Sequence, residues 1–289
     1  MRIKGKTKIC VLLGYPLGHT LSPLMQNAAF SYRRLDYLYV PWEVRPENLE
    51  RAVAALQVWE NFRGANVTIP HKERILGLVD RLSPEAQAIG AVNCLSLREG
   101  CLFGDNTDGK GFLLSLQEEA GVEVEGKRIL LFGAGGAARA VAFALAWSGA
   151  RRISLVNRTR EKAEVLASHL RGFAPSCHVE AHSLDGGDLP DLIRESEIVV
   201  NCTSVGLSPK DPPLFDHRFF EASSLVCDLI YNPQETRFLE AARRAGCRTI
   251  GGLGMLLHQG ALSFELWTGE KAPLQTMRRA LEGALGFRT

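Results

Sequence analysis

The chain has 289 residues, enough for about two domains with real cores, and 46% hydrophobic against 23% charged residues excludes disorder, a collagen-like repeat and a disulfide-stapled miniprotein. Lys plus Arg at 34 against Asp plus Glu at 32 leaves a formal charge of +2, too balanced for nucleic acid or an anionic membrane surface to be the partner. A charged ligand therefore has to be held by local groups.

Residues 8–13 (KICVLL) read as a short buried strand. In SPLMQNAAFSYRRL, Ser22 marks a helix start, Pro23 suits the first helical position, and apolar residues recur at helical spacing. DYLYVPWEV is a second strand, PENLERAVAALQVWE a helix opened by Pro46, and GANVTIP a third strand ended by Pro70. Such alternation predicts an α/β fold with a parallel sheet covered by helices. AVNCLSLRE and CLFGDN, joined through Glu99 and Gly100, predict a hairpin that closes the first unit. GKGFLLSLQEEA then leads into a second alternating unit: strand KRILLFG, helix AARAVAFALAWSG, strand RISLVN and helix REKAEVLASHL. EIVVNCTS, SSLVCDLIY and CRTIGG supply further strands, and MLLHQGALSFELWTG and LQTMRRALEGALG form closing helices expected to return to the first domain.

The seven cysteines contain no CxxC pair and are odd in number, which favours reduced thiols over a disulfide set. The basic N-terminal stretch leads to an apolar run cut at Gly14 and Pro16, unlike a signal peptide, and no run reaches the roughly 18 apolar residues of a membrane span. A cytoplasmic location without membrane contact is the expectation.

LLFGAGGAARA places Gly133, Gly135 and Ala138 in a GxGxxA pattern after an apolar strand and at the opening of a helix. Gly133 permits the tight turn, Gly135 lets the backbone approach a pyrophosphate, and Ala138 keeps helix and strand close, while the helix N-terminus offers free N–H groups to the anion. Gly133, Ala134, Gly135, Gly136 and Ala137 are thus the candidate dinucleotide cradle of a Rossmann-type, doubly wound domain. The following strand ends in Asn157, Arg158 and Thr159 instead of the Asp or Glu that accepts an NAD ribose hydroxyl. An arginine there can pair with a 2′-phosphate, so NADP is favoured over NAD, with Lys162 able to add charge. The plain alternatives are an exposed loop arginine and a solvated helix lysine.

Four polar clusters fall at strand-to-helix transitions of the first unit: GYPLGHTLSP, NVTIPHK, GAVN and GDNTDGKG. Thr20 and Ser22 offer hydroxyls, Asn66 and Asn93 amides, and Lys72 and Asp108 an opposite-charge pair, a set suited to a small polyhydroxylated acid. Singly, Ser22 reads equally as a helix cap, the asparagines as turn satisfiers, and Lys72 with Asp108 as a surface ion pair. His19 and His71 have no companions at metal-ligand spacing, so no metal is expected.

In combination these motifs, with NRT and GLGMLLHQG, resemble the shikimate dehydrogenase family over nearly the whole chain. The resemblance implies reversible reduction of 3-dehydroshikimate to shikimate by NADPH in aromatic amino acid biosynthesis. It implies a catalytic pair of Lys72 and Asp108, with Thr20, Ser22, Thr68, Lys72, Asn93, Asp108, Tyr231 and Gln259 on the substrate. It also implies Asn201, Thr203, Leu229, Gly252 and Met255 around the nicotinamide; for Gln259 and Met255 a purely structural helix position competes. The expected division is a substrate domain over residues 1–107, an NADP-binding domain over 108–252 and C-terminal helices over 253–289, in a monomer or homodimer. Two positions depart from the family pattern: Tyr15 stands where Asn is common and Thr20 where Ser is common, the latter bearing on tolerance for quinate. The alternatives are a quinate or dual quinate/shikimate dehydrogenase, and an NADP-sensing regulatory protein of the same fold.

Overall fold

The computed structural model describes residues 3–286, which fold as two α/β units: one runs through Gly111 and resumes at Leu256, the other spans Phe112–Met255. The first unit comprises β1 (Lys8–Gly14), α1 (Ser22–Tyr32), β2 (Tyr37–Glu43), α2 (Leu49–Gln57), β3 (Phe62–Val67), β4 (Arg81–Leu82), α3 (Pro84–Ile89), β5 (Cys94–Arg98) and β6 (Cys101–Asp105). Its sheet has the order β2-β1-β3-β5-β6-β4. β1 pairs in parallel with β2 and β3, whereas β5 runs antiparallel between β3 and β6. The sheet is therefore mixed where alternation alone predicted a parallel one. The cause is the β5–β6 hairpin, whose Glu99 and Gly100 both take positive φ, 52° and 77°.

Alternation along β1 sends Val11 and Leu13 to a core shared with Val53 and Leu56 of α2, Phe62, Val67 and Leu95. α2 buries Leu49, Ala52, Val53 and Leu56, the i, i+3, i+4, i+7 stripe of an amphipathic helix. It is shorter than expected at both ends: Pro46–Asn48 forms a separate 3-10 turn, and the helix stops at Gln57 with Val58 as its C-cap. Ser22, read as a possible cap, is instead the first residue of α1; Leu21 holds the cap position and no side chain caps the helix.

α4 (Asp108–Ala120) leads into the second unit: β7 (Arg128–Phe132), α5 (Gly136–Trp147), β8 (Arg152–Asn157), α6 (Arg160–Phe173), β9 (His178–Ser183), α7 (Leu189–Glu195), β10 (Ile198–Asn201), β11 (Leu225–Asp228), α8 (Arg237–Arg244) and β12 (Arg248–Ile250). All strands are parallel in the order β12-β11-β10-β7-β8-β9, the doubly wound arrangement with its reversal between β7 and β10. β9, α7 and α8 had no counterpart in the expected elements. α9 (Leu253–Thr268) and α10 (Leu274–Ala284) end the chain; within the first unit, Phe264 of α9 stacks on Phe30 of α1 with ring centroids 5.4 Å apart. No helix among the described residues is long and apolar enough to cross a membrane. None of the seven cysteines forms a disulfide, and only Cys101 and Cys202 are partly exposed.

Candidate active site

One edge of the first sheet collects the C-terminal ends of β1, β3 and β6 and, because β5 is reversed, its N-terminal end as well. All four polar clusters leave the sheet there, and backbone bonds lace them together. Thr68 N donates to Leu13 O at 2.8 Å, Val67 N to Asn93 O at 2.8 Å, Val92 N to Lys72 O at 2.8 Å and Asn93 N to Asp105 O at 3.1 Å. Gly14 allows the first two loops to touch: an ideal Cβ there would lie 2.3 Å from Thr68 Cγ2 and 3.2 Å from Ile69 O.

Lys72 Nζ donates to Asp108 Oδ2 at 2.6 Å, with side-chain exposures of only 14% and 5%. A pair this deep is not the surface ion pair that the sequence left open. Removing either partner would strand a buried charge, at a cost of about 3–5 kcal/mol. The second carboxylate oxygen, Asp108 Oδ1, accepts from Asn93 Nδ2 at 2.7 Å, so the carboxylate is held from two sides and leaves lysine N–H groups for a further acceptor. Asn93 also reaches Gln259 Oε1 at 3.4 Å, while Gln259 Nε2 donates to Leu256 O at 2.9 Å.

Behind the pair runs a buried polar chain. Thr107 N donates to Asn93 Oδ1 at 2.7 Å; Thr107 Oγ1 meets Ser263 Oγ at 3.3 Å; Asn66 Nδ2 donates to Ser263 Oγ at 2.9 Å; and Tyr39 Oη donates to Asn66 Oδ1 at 2.9 Å. A fully satisfied network of this kind fixes the rotamers of the groups it carries. Thr107, Ser263 and Tyr39 were not singled out from sequence. Thr107 lies inside GDNTDG, and Ser263 follows Gln259 by one helical turn, which is the only local signal; Tyr39 has none. Thr20 and Ser22 meet in the first loop, where Ser22 N donates to Thr20 Oγ1 at 3.3 Å, and the Ser22 hydroxyl has no hydrogen-bond partner among the described residues.

In the second unit the other candidates line the C-terminal edge of the parallel sheet. Gly133 takes φ 112°, a conformation that disfavours any side chain, and an ideal Cβ would stand 3.2 Å from Cys202 O and 3.4 Å from Thr203 Cγ2. The glycine turn thus packs against the loop after β10, at the point where strand order reverses. α5 opens at exposed Gly135 with no side-chain cap and no acidic residue in its first turn, leaving its N–H groups to an external anion. A dinucleotide phosphate fits this cradle on both counts.

At the end of β8, Asn157 Nδ2 donates to Thr159 O at 2.8 Å and shapes the loop, while Arg158, Thr159 and Lys162 are exposed. Arg158 makes no ion pair among the described residues. Asn201 differs from expectation in how it acts. Its Nδ2 donates to Val205 O and Asp228 Oδ1, both at 3.1 Å, and its Oδ1 accepts from Thr203 N at 3.0 Å and Thr203 Oγ1 at 2.7 Å. That amide is fully occupied in holding the loop that carries Thr203. Leu229 and Gly252 adjoin: an ideal Cβ on Gly252 would lie 2.1 Å from Leu229 O. Met255 is buried at the start of α9, and Tyr231 lies in the loop after β11, in the second unit.

Burial raises the Asp228 carboxyl to about 6, opposed by the hydrogen bonds it accepts from Thr236 Oγ1, Ile230 N and Asn201 Nδ2. This acid lies below the loops after β10 and β11 and had not been read from sequence.

Three family models match the chain: the shikimate dehydrogenase substrate binding domain over residues 12–95, shikimate/quinate 5-dehydrogenase over 115–208, and the shikimate 5′-dehydrogenase C-terminal domain over 252–282. The shikimate dehydrogenase (NADP(+)) of Desulforamulus reducens is 47% identical over 97% of this chain and 96% of its own. A crystal structure of a shikimate dehydrogenase in complex with NADP+ superposes with a TM-score of 0.89 at 39% identity, covering 98% of both chains. The Thermus thermophilus shikimate 5-dehydrogenase, solved with NADP(H) and shikimate, gives 0.84 at 38% identity, covering 96% of this chain and all of its own (100%).

Proposed function

The chain belongs to the shikimate dehydrogenase family, and on that premise we propose that it catalyses the reversible NADPH-dependent reduction of 3-dehydroshikimate to shikimate in aromatic amino acid biosynthesis. The observation that carries the reading is the buried contact between Lys72 and Asp108, set among hydroxyls and amides at one sheet edge.

NADPH, when bound, supplies the hydride. As negative charge develops on the carbonyl oxygen, the Lys72 ammonium donates a proton to it; in the oxidative direction the neutral amine removes the hydroxyl proton. Asp108, fixed by Asn93, aims Lys72 Nζ and accepts from a ring hydroxyl. General acid–base catalysis of this kind contributes roughly 10²–10⁴-fold. Thr20 and Ser22 bind the substrate carboxylate with their hydroxyls, and Thr68, Asn93 and Gln259 bind the ring hydroxyls; Tyr231 is a substrate residue on the family resemblance alone.

Gly133, Ala134, Gly135, Gly136 and Ala137 cradle the pyrophosphate; an uncapped helix start with no acid beside it supports this role. Asn157, Arg158, Thr159 and Lys162 receive the 2′-phosphate, and the missing carboxylate at the end of β8 favours NADP over NAD. Thr203, Leu229, Gly252 and Met255 line the nicotinamide, with Asn201 setting the Thr203 loop. Residues 1–107 with the C-terminal helices then form the substrate domain and residues 108–252 the cofactor domain. The protein works as a cytoplasmic monomer or homodimer with only small-molecule partners.

Steady-state oxidation of shikimate and of quinate, each with NADP+ and with NAD+, tests the proposal. The highest kcat/KM is expected for shikimate with NADP+. A higher value for quinate with NAD+ would make the protein a quinate dehydrogenase, and no turnover of either acid would leave a cofactor-sensing protein.

A further inference from the structure

The segment Glu43–Val44–Arg45, at the end of β2 and just beyond it, supplies none of the groups assigned to the reaction, yet two of the four polar loops of the first unit, those after β1 and β3, fasten to it. Glu43 Oε1 accepts a hydrogen bond from Leu17 N at 2.7 Å. Val44 N donates to Gly14 O at 3.0 Å, and Val44 O faces His71 Nε2 at 2.7 Å. A carbonyl can only accept, so this nitrogen carries the proton. The Arg45 guanidinium lies over the Tyr15 ring, 5.1 Å from its centroid, within cation–π range.

The Glu43 contact leads directly to the candidate carboxylate ligands. Leu17, itself buried, accepts at its carbonyl from Thr20 N at 3.1 Å, and Thr20 Oγ1 accepts from Ser22 N at 3.3 Å. The run Glu43–Leu17–Thr20–Ser22 is therefore one chain of hydrogen bonds. Its far end is the start of α1, where Ser22 is held as the first helical residue, and no side chain caps that helix. At its near end the loop is held by the Glu43 carboxylate, by the Tyr15 contacts and by the buried Leu17 side chain. Tyr15 is bound there by its own N–H, which donates to Ile69 O at 3.0 Å, and by Arg45 across its ring. The tyrosine that departs from the family pattern thus has a partner in the same segment.

We propose that Glu43 is a positioning residue for substrate binding: acting through Leu17 N–H, it fixes the turn that presents the Thr20 and Ser22 hydroxyls, while Arg45 clamps the same loop through Tyr15. The proposal rests on the reading of Thr20 and Ser22 as ligands of the substrate carboxylate. Because Val44 holds His71, the neighbour of Lys72, one segment also keeps the carboxylate-binding loop and the proton-donating loop in a common frame.

The test compares shikimate KM, kcat and NADPH affinity in the wild type, E43A, E43Q, T20A and E43A/T20A. Loss of a hydrogen bond to a charged acceptor predicts a KM about tenfold higher in E43A, with kcat within about twofold and NADPH affinity unchanged. E43Q keeps an oxygen acceptor at the same reach and is expected to restore KM to within about threefold of wild type. If Glu43 acts through the Thr20 turn, E43A adds less than about twofold in the T20A background. An E43A enzyme with wild-type KM, an E43Q enzyme as impaired as E43A, or equal effects of E43A with and without Thr20 would each overturn the proposal. A T20A enzyme with unchanged KM would instead overturn the assignment of Thr20, and the proposal with it. Should E43A not fold, E43D, which withdraws the carboxylate by one methylene, carries the same expectation of raised KM with unchanged NADPH affinity.

Discussion

An ideal Cβ at Gly111 would stand 2.7 Å from the backbone nitrogen of Gln259 and 2.8 Å from its Cβ, so α4 and α9 meet here at backbone contact. This approach brings Gln259 Oε1 to within 3.4 Å of Asn93 Nδ2, beside the Lys72–Asp108 pair. Alanine at position 111 gains about 1 kcal/mol in helix propensity but must displace backbone and not a flexible side-chain tip. G111A is expected to be less stable in denaturant unfolding and to raise the KM for shikimate severalfold without changing that for NADPH. A variant of greater stability with unchanged KM would show that the close contact has no part in placing Gln259.

Arg158 offers a separate test of the cofactor side, because its guanidinium is exposed and forms no ion pair among the described residues. Charge-assisted pairing with a 2′-phosphate predicts that R158A raises the KM for NADPH roughly tenfold or more. The KM for NADH, which lacks that phosphate, should hardly move. The NADPH effect should shrink as ionic strength rises. Equal losses with both cofactors would remove the 2′-phosphate from this residue.

Asp228 predicts a pH dependence of stability with an uncommon sign. Burial raises its carboxyl from 3.8 to about 6, so the folded state holds the proton more tightly than the unfolded chain. The stability it contributes is fully present below the unfolded value and is lost as pH rises through the folded one. Between about pH 4 and pH 6 the loss amounts to roughly 3 kcal/mol. Glu195 and Glu197, held low by hydrogen bonds from Arg152 and Lys127, act in the opposite direction: their contribution begins to be lost as pH falls through the ordinary value of 4.5, at the lower end of that window. Urea unfolding of wild type and D228N from pH 4 to pH 7 separates the terms, since D228N lacks the ionisation. The stability difference, wild type minus D228N, should fall across the window; a constant difference would refute the assignment.

Much of this arrangement was legible where chemistry is local. RISLVN was read as a strand and forms β8 over the same residues, and the glycine run after KRILLF opens α5 with the uncapped N-terminus that its motif requires. The elements that escaped had weak local signals. HVEAHS of β9 lies at the sheet edge with a single buried residue, Val179; its alternation rests on just two apolar residues, Val179 and Ala181, and it has no apolar run to mark a strand. α8 is a short, strongly charged helix whose signals are its cap, where Thr236 Oγ1 accepts from Leu239 N at 3.2 Å, and a narrow apolar face of Phe238, Leu239 and Ala242 too short to stand out in a charged stretch. At the site, Lys72, Asn93 and Asp108 stood out by residue type and motif. Their support by Thr107, Ser263, Asn66 and Tyr39 depends on one loop and three elements far apart in the chain. No spacing rule links those positions. Asn201 shows the reverse limit: its residue type suggested a ligand contact, and only its partners reveal that both ends of the amide are occupied within its own unit.

The mechanism rests most directly on Lys72 as the proton donor, and kcat for K72A with shikimate and NADP+, measured beside NADPH affinity, tests it. A fall in kcat of roughly 10²–10⁴-fold, with NADPH binding retained as a sign of intact folding, is the expected result. A K72A enzyme that binds NADPH and turns over shikimate at the wild-type kcat would contradict the mechanism, whatever the distance between Lys72 and Asp108.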